Sequence, residues 1–175
     1  MFHRLLLAWM LCLGLAAQDA VIVFLRHAEK ASRRTNAELS ASGKQRALRL
    51  VEELSPFQPV ALYASNLRRT QQTLEPLSRQ LHLPLQIYER GQEWALGRSL
   101  LARHPGQTVV VCGHSDTLMD LVKALGLTTP FPEISGFDRF WMLRHHATSG
   151  TVTLEEHRQR PAPSEAKGTP AAVRP

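Results

Sequence analysis

Two histidines and three arginines stand where apolar runs give way to charge. Val21-Ile22-Val23-Phe24-Leu25 ends in Arg26 and His27, with Ala28-Glu29-Lys30 behind them. Val60-Ala61-Leu62-Tyr63-Ala64 exits into Ser65-Asn66-Leu67-Arg68-Arg69-Thr70, and Thr108-Val109-Val110-Val111-Cys112 into Gly113-His114-Ser115. Arginine forks match phosphate oxygens two bonds at a time, and a helix beginning at His114 would add its free N–H groups, so such a rim suits a tetrahedral oxyanion. A neutral imidazole among these cations can attack phosphorus in line, because the surroundings lower its pKa and neutralise the equatorial oxygens. The chemistry implied is phosphoryl transfer through phosphohistidine. The alternative of a different class is a binding module that uses the same cations only to capture phosphate or a phosphorylated partner.

Positioning these groups falls to the elements around them. The runs at Val21 and Thr108 read as strands buried on both faces, which places their polar ends at the C-terminal edge of a parallel sheet, where open α/β sheets bind ligands. A polar loop over 31–39 leads to Ser40, which caps a helix to about Leu54 with Ala47, Leu48, Val51 and Leu54 on its apolar face; Ser55-Pro56 ends it. Arg68-Arg69-Thr70 opens the next helix, which Pro76 is expected to break near Leu74 or Glu75, with a second piece to about Leu81. A strand over Pro84–Tyr88, a helix to about Arg103, and a helix from Ser115 to Leu125 ended by Gly126 follow. Phe137–Leu143 and Thr151–Leu154 read as an antiparallel pair turning at Ser149-Gly150. The alternation argues for a three-layer α/β/α sandwich with a mostly parallel central sheet.

Residues 1–17 have the layout of a secretory signal peptide: His3 and Arg4, an apolar stretch from Leu5 to Leu15, then Ala16 and Ala17. The apolar stretch is too short to span a bilayer, so cleavage near Ala17 or Ala20 is expected, with a periplasmic or secreted product and no stable membrane anchor. Cys112 is then the one cysteine left, which precludes an internal disulfide, and no metal-ligand spacing of Cys and His occurs. Neither a metal nor another cofactor is expected. The formal charge of +6 is concentrated at the ends, since Arg4 lies in the leader and the tail carries Arg158, Arg160, Lys167 and Arg174 against Glu165. The folded domain, expected over 18–157, thus keeps about +2 and lacks the basic runs of nucleic-acid binders. From Arg158 to Pro175 the composition predicts a disordered tail.

Leu25-Arg26-His27-Ala28-Glu29, Leu39-Ser40-Ala41-Ser42-Gly43, Ser65-Asn66-Leu67-Arg68-Arg69-Thr70-Gln71-Gln72-Thr73 and Val111-Cys112-Gly113-His114-Ser115 together resemble the histidine phosphatase superfamily, related to phosphoglycerate mutase. Order and spacing match from about Val21 to Gly126. The resemblance implies a phosphoglycerate mutase-like fold, His27 as nucleophile, Arg26 and Arg69 as phosphate clamps, and His114 as the second pocket histidine. Arg69 is preferred to Arg68 because the family's arginine directly precedes a small residue, here Thr70; the family's usual glycine after the nucleophile is Ala28.

In the mutase and acid-phosphatase branches a carboxylate between the second arginine and second histidine protonates the leaving oxygen. Glu89 and Glu93 are the candidates by position, with Glu89 preferred at the end of its strand; Asp116 reads as a pocket-rim residue. The chain is similar to the compact phosphohistidine phosphatases in lacking large cap insertions, and a phosphohistidine substrate would need no such acid. Export favours instead a histidine acid phosphatase-type phosphomonoesterase acting on small phosphate esters or cell-envelope phosphates.

Overall fold

A computed structural model describes residues 18–129, 131 and 134–160. The leader segment and most of the tail named above lie outside the described residues. The chain builds β1 (Ala20–Arg26), α1 (Ala41–Leu54), β2 (Ala61–Ser65), α2 (Arg68–Leu81), β3 (Leu85–Tyr88), α3 (Glu93–Arg103), β4 (Thr108–Gly113), α4 (Leu118–Ala124), β5 (Arg139–His145) and β6 (Val152–Arg158). The strands form one sheet in the order β3-β2-β4-β1-β5-β6. β1 to β4 run parallel, whereas β5 is antiparallel to both β1 and β6.

Alternation along β1 produces the three layers. Ile22 and Phe24 point to one face, where Leu96 and Leu100 of α3 and Leu118, Leu121 and Val122 of α4 cover them together with Trp141. Val21, Val23 and Leu25 point to the other, under Leu50 and Leu54 of α1 and Leu74 and Leu77 of α2. Because β1 and β4 are covered on both sides, they read as continuous apolar runs.

Several local expectations change. α2 is continuous through Pro76 rather than broken before it. The ring removes one backbone bond, but Leu74 and Leu77 on either side are buried, and their packing keeps the turn helical. On α1 the inward stripe is Gly43, Ala47, Leu50 and Leu54, while Leu48 is 54% exposed. Ser40 caps that helix, its hydroxyl accepting the Gly43 N–H at 3.1 Å. Gly43 is needed for a close approach, since a Cβ there would lie 2.2 Å from the Glu29 carbonyl oxygen. α4 starts at Leu118, not Ser115, and the N–H groups of Thr117 and Leu118 both donate to the His114 carbonyl. β6 reaches Arg158, the Gln159 N–H donates to Asp138, and Arg160 pairs with Glu53, so packed chain continues past residue 157.

Candidate active site

Register brings the two histidines together. Arg26 on β1 is level with Gly113 on β4, and the His27 N–H extends the ladder by donating to the Gly113 carbonyl at 3.0 Å. His27 and His114, each next along its chain, emerge side by side with ring centroids 5.3 Å apart. Both are nearly fully buried. Gly113 permits this closeness: a Cβ there would meet Leu118 Cδ2 at 2.8 Å and the Tyr88 hydroxyl at 2.9 Å.

Hydrogen-bond partners fix the proton positions. His27 Nδ1 lies 2.7 Å from the Ala28 carbonyl, which can only accept, so Nδ1 carries the hydrogen and Nε2 keeps its lone pair. Burial, with Arg69, Arg26 and Lys30 adding positive charge, outweighs that hydrogen bond and brings the His27 pKa down to about 4. The imidazole is consequently neutral and nucleophilic at neutral pH. The Ala28 N–H donates to Thr73 Oγ1, whose hydroxyl donates to the Arg69 carbonyl, tying the nucleophile's segment to α2.

His114 has the opposite tautomer. Arg69 Nη2, which can only donate, lies 3.1 Å from its Nδ1, so Nε2 bears the hydrogen and donates to Ser65 Oγ at 2.9 Å. The Ser65 hydroxyl continues to Thr70 Oγ1 at 2.9 Å, and that hydroxyl donates to the Leu67 carbonyl. Burial, then Arg69, then His27 lower the His114 pKa to about 3, consistent with a ring that accepts from a guanidinium. Arg69 also donates from Nη1 to the Thr35 carbonyl. Its Nε and that of Arg26 are buried donors with no hydrogen-bond partner among the described residues, which is unfavourable if left unmet.

Arg26 is held from the opposite side, its guanidinium 4.3 Å from the Phe137 ring centre and Nη1 donating to the Gly136 carbonyl. Phe137 also stands 6.0 Å from the His27 ring. Arg26, His27, Arg69 and His114 thus surround one point at the C-terminal edge of β1, β2 and β4. Arg68 points elsewhere, pairing with Glu38 at 2.9 Å on the surface. Glu29 is gripped by Arg46 of α1 through three hydrogen bonds rather than by Lys30.

The two acid candidates are engaged apart from this point. Glu89 is exposed, with the Asn66 side-chain amide donating to its carboxylate. Glu93 is wholly buried at the start of α3 and accepts the Gly91 N–H at 2.8 Å, which shapes the turn between β3 and α3. Sequence reasoning missed Ser65, Thr73, Arg90 and Phe137. Ser65 and Thr73 fall within the motif quoted around Arg69, but their partners are distant in sequence; Arg90 and Phe137 lie on irregular segments with no periodicity to mark them.

A parallel-sheet sandwich with two buried, oppositely protonated histidines between arginines defines a phosphoryl-handling α/β protein. The family model described as histidine phosphatase superfamily (branch 1) matches residues 22–99, the stretch that carries His27 and Arg69. Over that stretch the chain is similar to the histidine phosphatase superfamily. Solved structures share its fold at low sequence identity. A mycobacterial glucosyl-3-phosphoglycerate phosphatase is 17% identical with a TM-score of 0.69, over 82% of this chain and 100% of that one. The protein histidine phosphatase SixA, complexed with tungstate, is 18% identical with a TM-score of 0.59, over 79% and 96%. A putative phosphohistidine phosphatase SixA from Agrobacterium tumefaciens is 19% identical with a TM-score of 0.55, over 78% and 97%. No curated protein sequence matches the chain significantly.

Proposed function

We propose that the protein is a phosphomonoesterase in which His27 Nε2 attacks phosphorus, forming a phosphohistidine that water then hydrolyses. The observation that carries this reading is the His27 tautomer, with Nδ1–H on the Ala28 carbonyl and Nε2 free. Arg26 and Arg69 hold the phosphoryl oxygens. His114 acts through Arg69, which it orients by accepting from Nη2. Phosphatase activity also belongs to the structural neighbours, a glucosyl-3-phosphoglycerate phosphatase and a protein histidine phosphatase. An imidazole that stays neutral down to about pH 4 suits an acid phosphatase-like range. The leader-like residues 1–17 support export, and small esters or envelope phosphates as substrates.

The test is phosphate release from an aryl phosphate in chelator by the mature protein and by His27→Ala, from acid to neutral pH. Turnover by the wild type with at least a ~10³-fold loss in the variant is expected, since the nucleophile is removed. Turnover retained by a folded His27→Ala would sink this mechanism; saturable phosphate binding without turnover in the wild type would make the protein a binding module.

A further inference from the structure

Resting on the phosphatase reading, we propose that Phe137 is a positioning residue for that reaction, its ring holding the Arg26 guanidinium in place to meet the phosphate without neutralising it. The face of an aromatic ring attracts a cation through its quadrupole and carries no net charge. Such a partner restrains an arginine and leaves its full charge for an anionic ligand.

The neighbouring arginines show the contrast. Arg46 pairs with Glu29, Arg68 with Glu38 and Arg90 with Asp116. Arg26 makes no ion pair with a carboxylate among the described residues. A carboxylate there would compete with phosphate for the same donors. Instead the Arg26 guanidinium carbon lies 4.3 Å from the Phe137 ring centre, well inside cation–π range, and Nη1 donates to the Gly136 carbonyl at 3.3 Å. Without these two partners the long side chain would sample several rotamers, and phosphate binding would have to restrict them.

The ring is itself held in place by the fold. β5 runs antiparallel to β1 with Phe140 level with Leu25, so the residues just before Phe140 reach the end of β1, where Arg26 and His27 emerge. Gly136 turns the chain there at φ 74°, a left-handed conformation that glycine adopts without strain. On the other side of Phe137, the Asp138 carbonyl accepts the Gln159 N–H at 2.8 Å. Between these two fixed points Phe137 is half-buried, and its ring centre also stands 6.0 Å from that of His27. One side chain therefore lies against both the nucleophile and a phosphate clamp.

The experiment measures inorganic phosphate binding by calorimetry, and turnover of p-nitrophenyl phosphate, for wild type, Phe137→Leu and Phe137→Tyr. Phosphate binding is also measured for Arg26→Ala with and without Phe137→Leu. Leucine keeps apolar bulk but removes the ring face, whereas tyrosine keeps the face. Phe137→Leu is expected to bind phosphate ~3–10-fold more weakly, the cost of ordering one long side chain on binding. KM should rise by a similar factor with kcat largely kept, since Arg26 holds the phosphoryl oxygens both before and during transfer. Phe137→Tyr should restore both. In the Arg26→Ala background, Phe137→Leu should weaken phosphate binding no further, whatever it does to the melting temperature; a purely structural role would add its loss in either background. An unchanged affinity in Phe137→Leu, the same loss in Phe137→Tyr, or an equal loss without Arg26 would overturn the assignment, and in each case wild-type turnover through His27 would leave the phosphatase reading standing. A wild type that neither binds phosphate nor releases it from the ester would remove both.

Discussion

Burying two neutral histidines makes the fold depend on pH in a direction that the structure specifies. His27 titrates near 6.5 in an unfolded chain and at about 4 in the folded one. As pH falls below 6.5, the unfolded state gains the proton first, so stability is fully present above 6.5 and drains away down to about 4. At ~1.4 kcal/mol per pH over that interval, His27 accounts for about 3 kcal/mol, a large part of a typical domain's stability. His114 pushes the same way from 5.3 Å, and a proton on either ring opposes one on the other. His27→Gln removes one of the two. The assay is urea unfolding followed by tryptophan fluorescence at several pH values from 7.5 to 4, with the buried Trp141 as reporter. The variant's plot of stability against pH should be shallower than wild type by up to ~1.4 kcal/mol per pH below 6.5. Parallel plots for the two proteins would refute the reasoning, because they would mean that His27 takes up its proton equally in the folded state.

Three further outcomes follow from particular contacts. Gly113→Ala places a Cβ 2.8 Å from Leu118 Cδ2 and 2.9 Å from the Tyr88 hydroxyl, and should destabilise by about 1–3 kcal/mol in denaturant melts. Asn66→Ala removes the exposed acceptor of the Arg90 N–H at 3.3 Å and the amide that donates to Glu89, and should cost about 1 kcal/mol or less in denaturant melts. Glu29→Gln breaks the pair with Arg46 and should cost about 1–3 kcal/mol at pH 7. Burial opposes the charged Glu29, but Arg46 prevails and holds its pKa low, so this deficit should shrink as pH falls through the folded pKa and the wild-type pair is lost.

The sandwich was legible because it rests on local patterning. Runs such as Val21–Leu25 have nowhere to go but a strand covered on both faces, and a strand that stops at Arg-His delivers those groups to its C-terminal edge. His27, Arg69 and His114 could likewise be chosen from motif order before any distance was known. Pro76 shows the limit of such reasoning: its local penalty predicts a break, yet Leu74 and Leu77 bury against the sheet and hold α2 whole.

By itself the sequence determined the strand–helix alternation, the Ser40 cap and the chemical types at the rim. Tertiary structure alone decided what those types can do. Which nitrogen of His27 is free depends on a carbonyl next door, but its depressed pKa depends first on burial in the folded sheet and then on the charges of Arg69, brought in by α2, and of neighbouring Arg26. The tautomer of His114 depends on Arg69 and Ser65, distant in sequence and brought within 3.1 Å and 2.9 Å by strand register. Glu89 and Asp116 are both acidic residues after strands in the chain. One accepts from the Asn66 amide while the other pairs with Arg90, because hydrogen-bond partners are set by separation in space, which spacing along the chain does not specify.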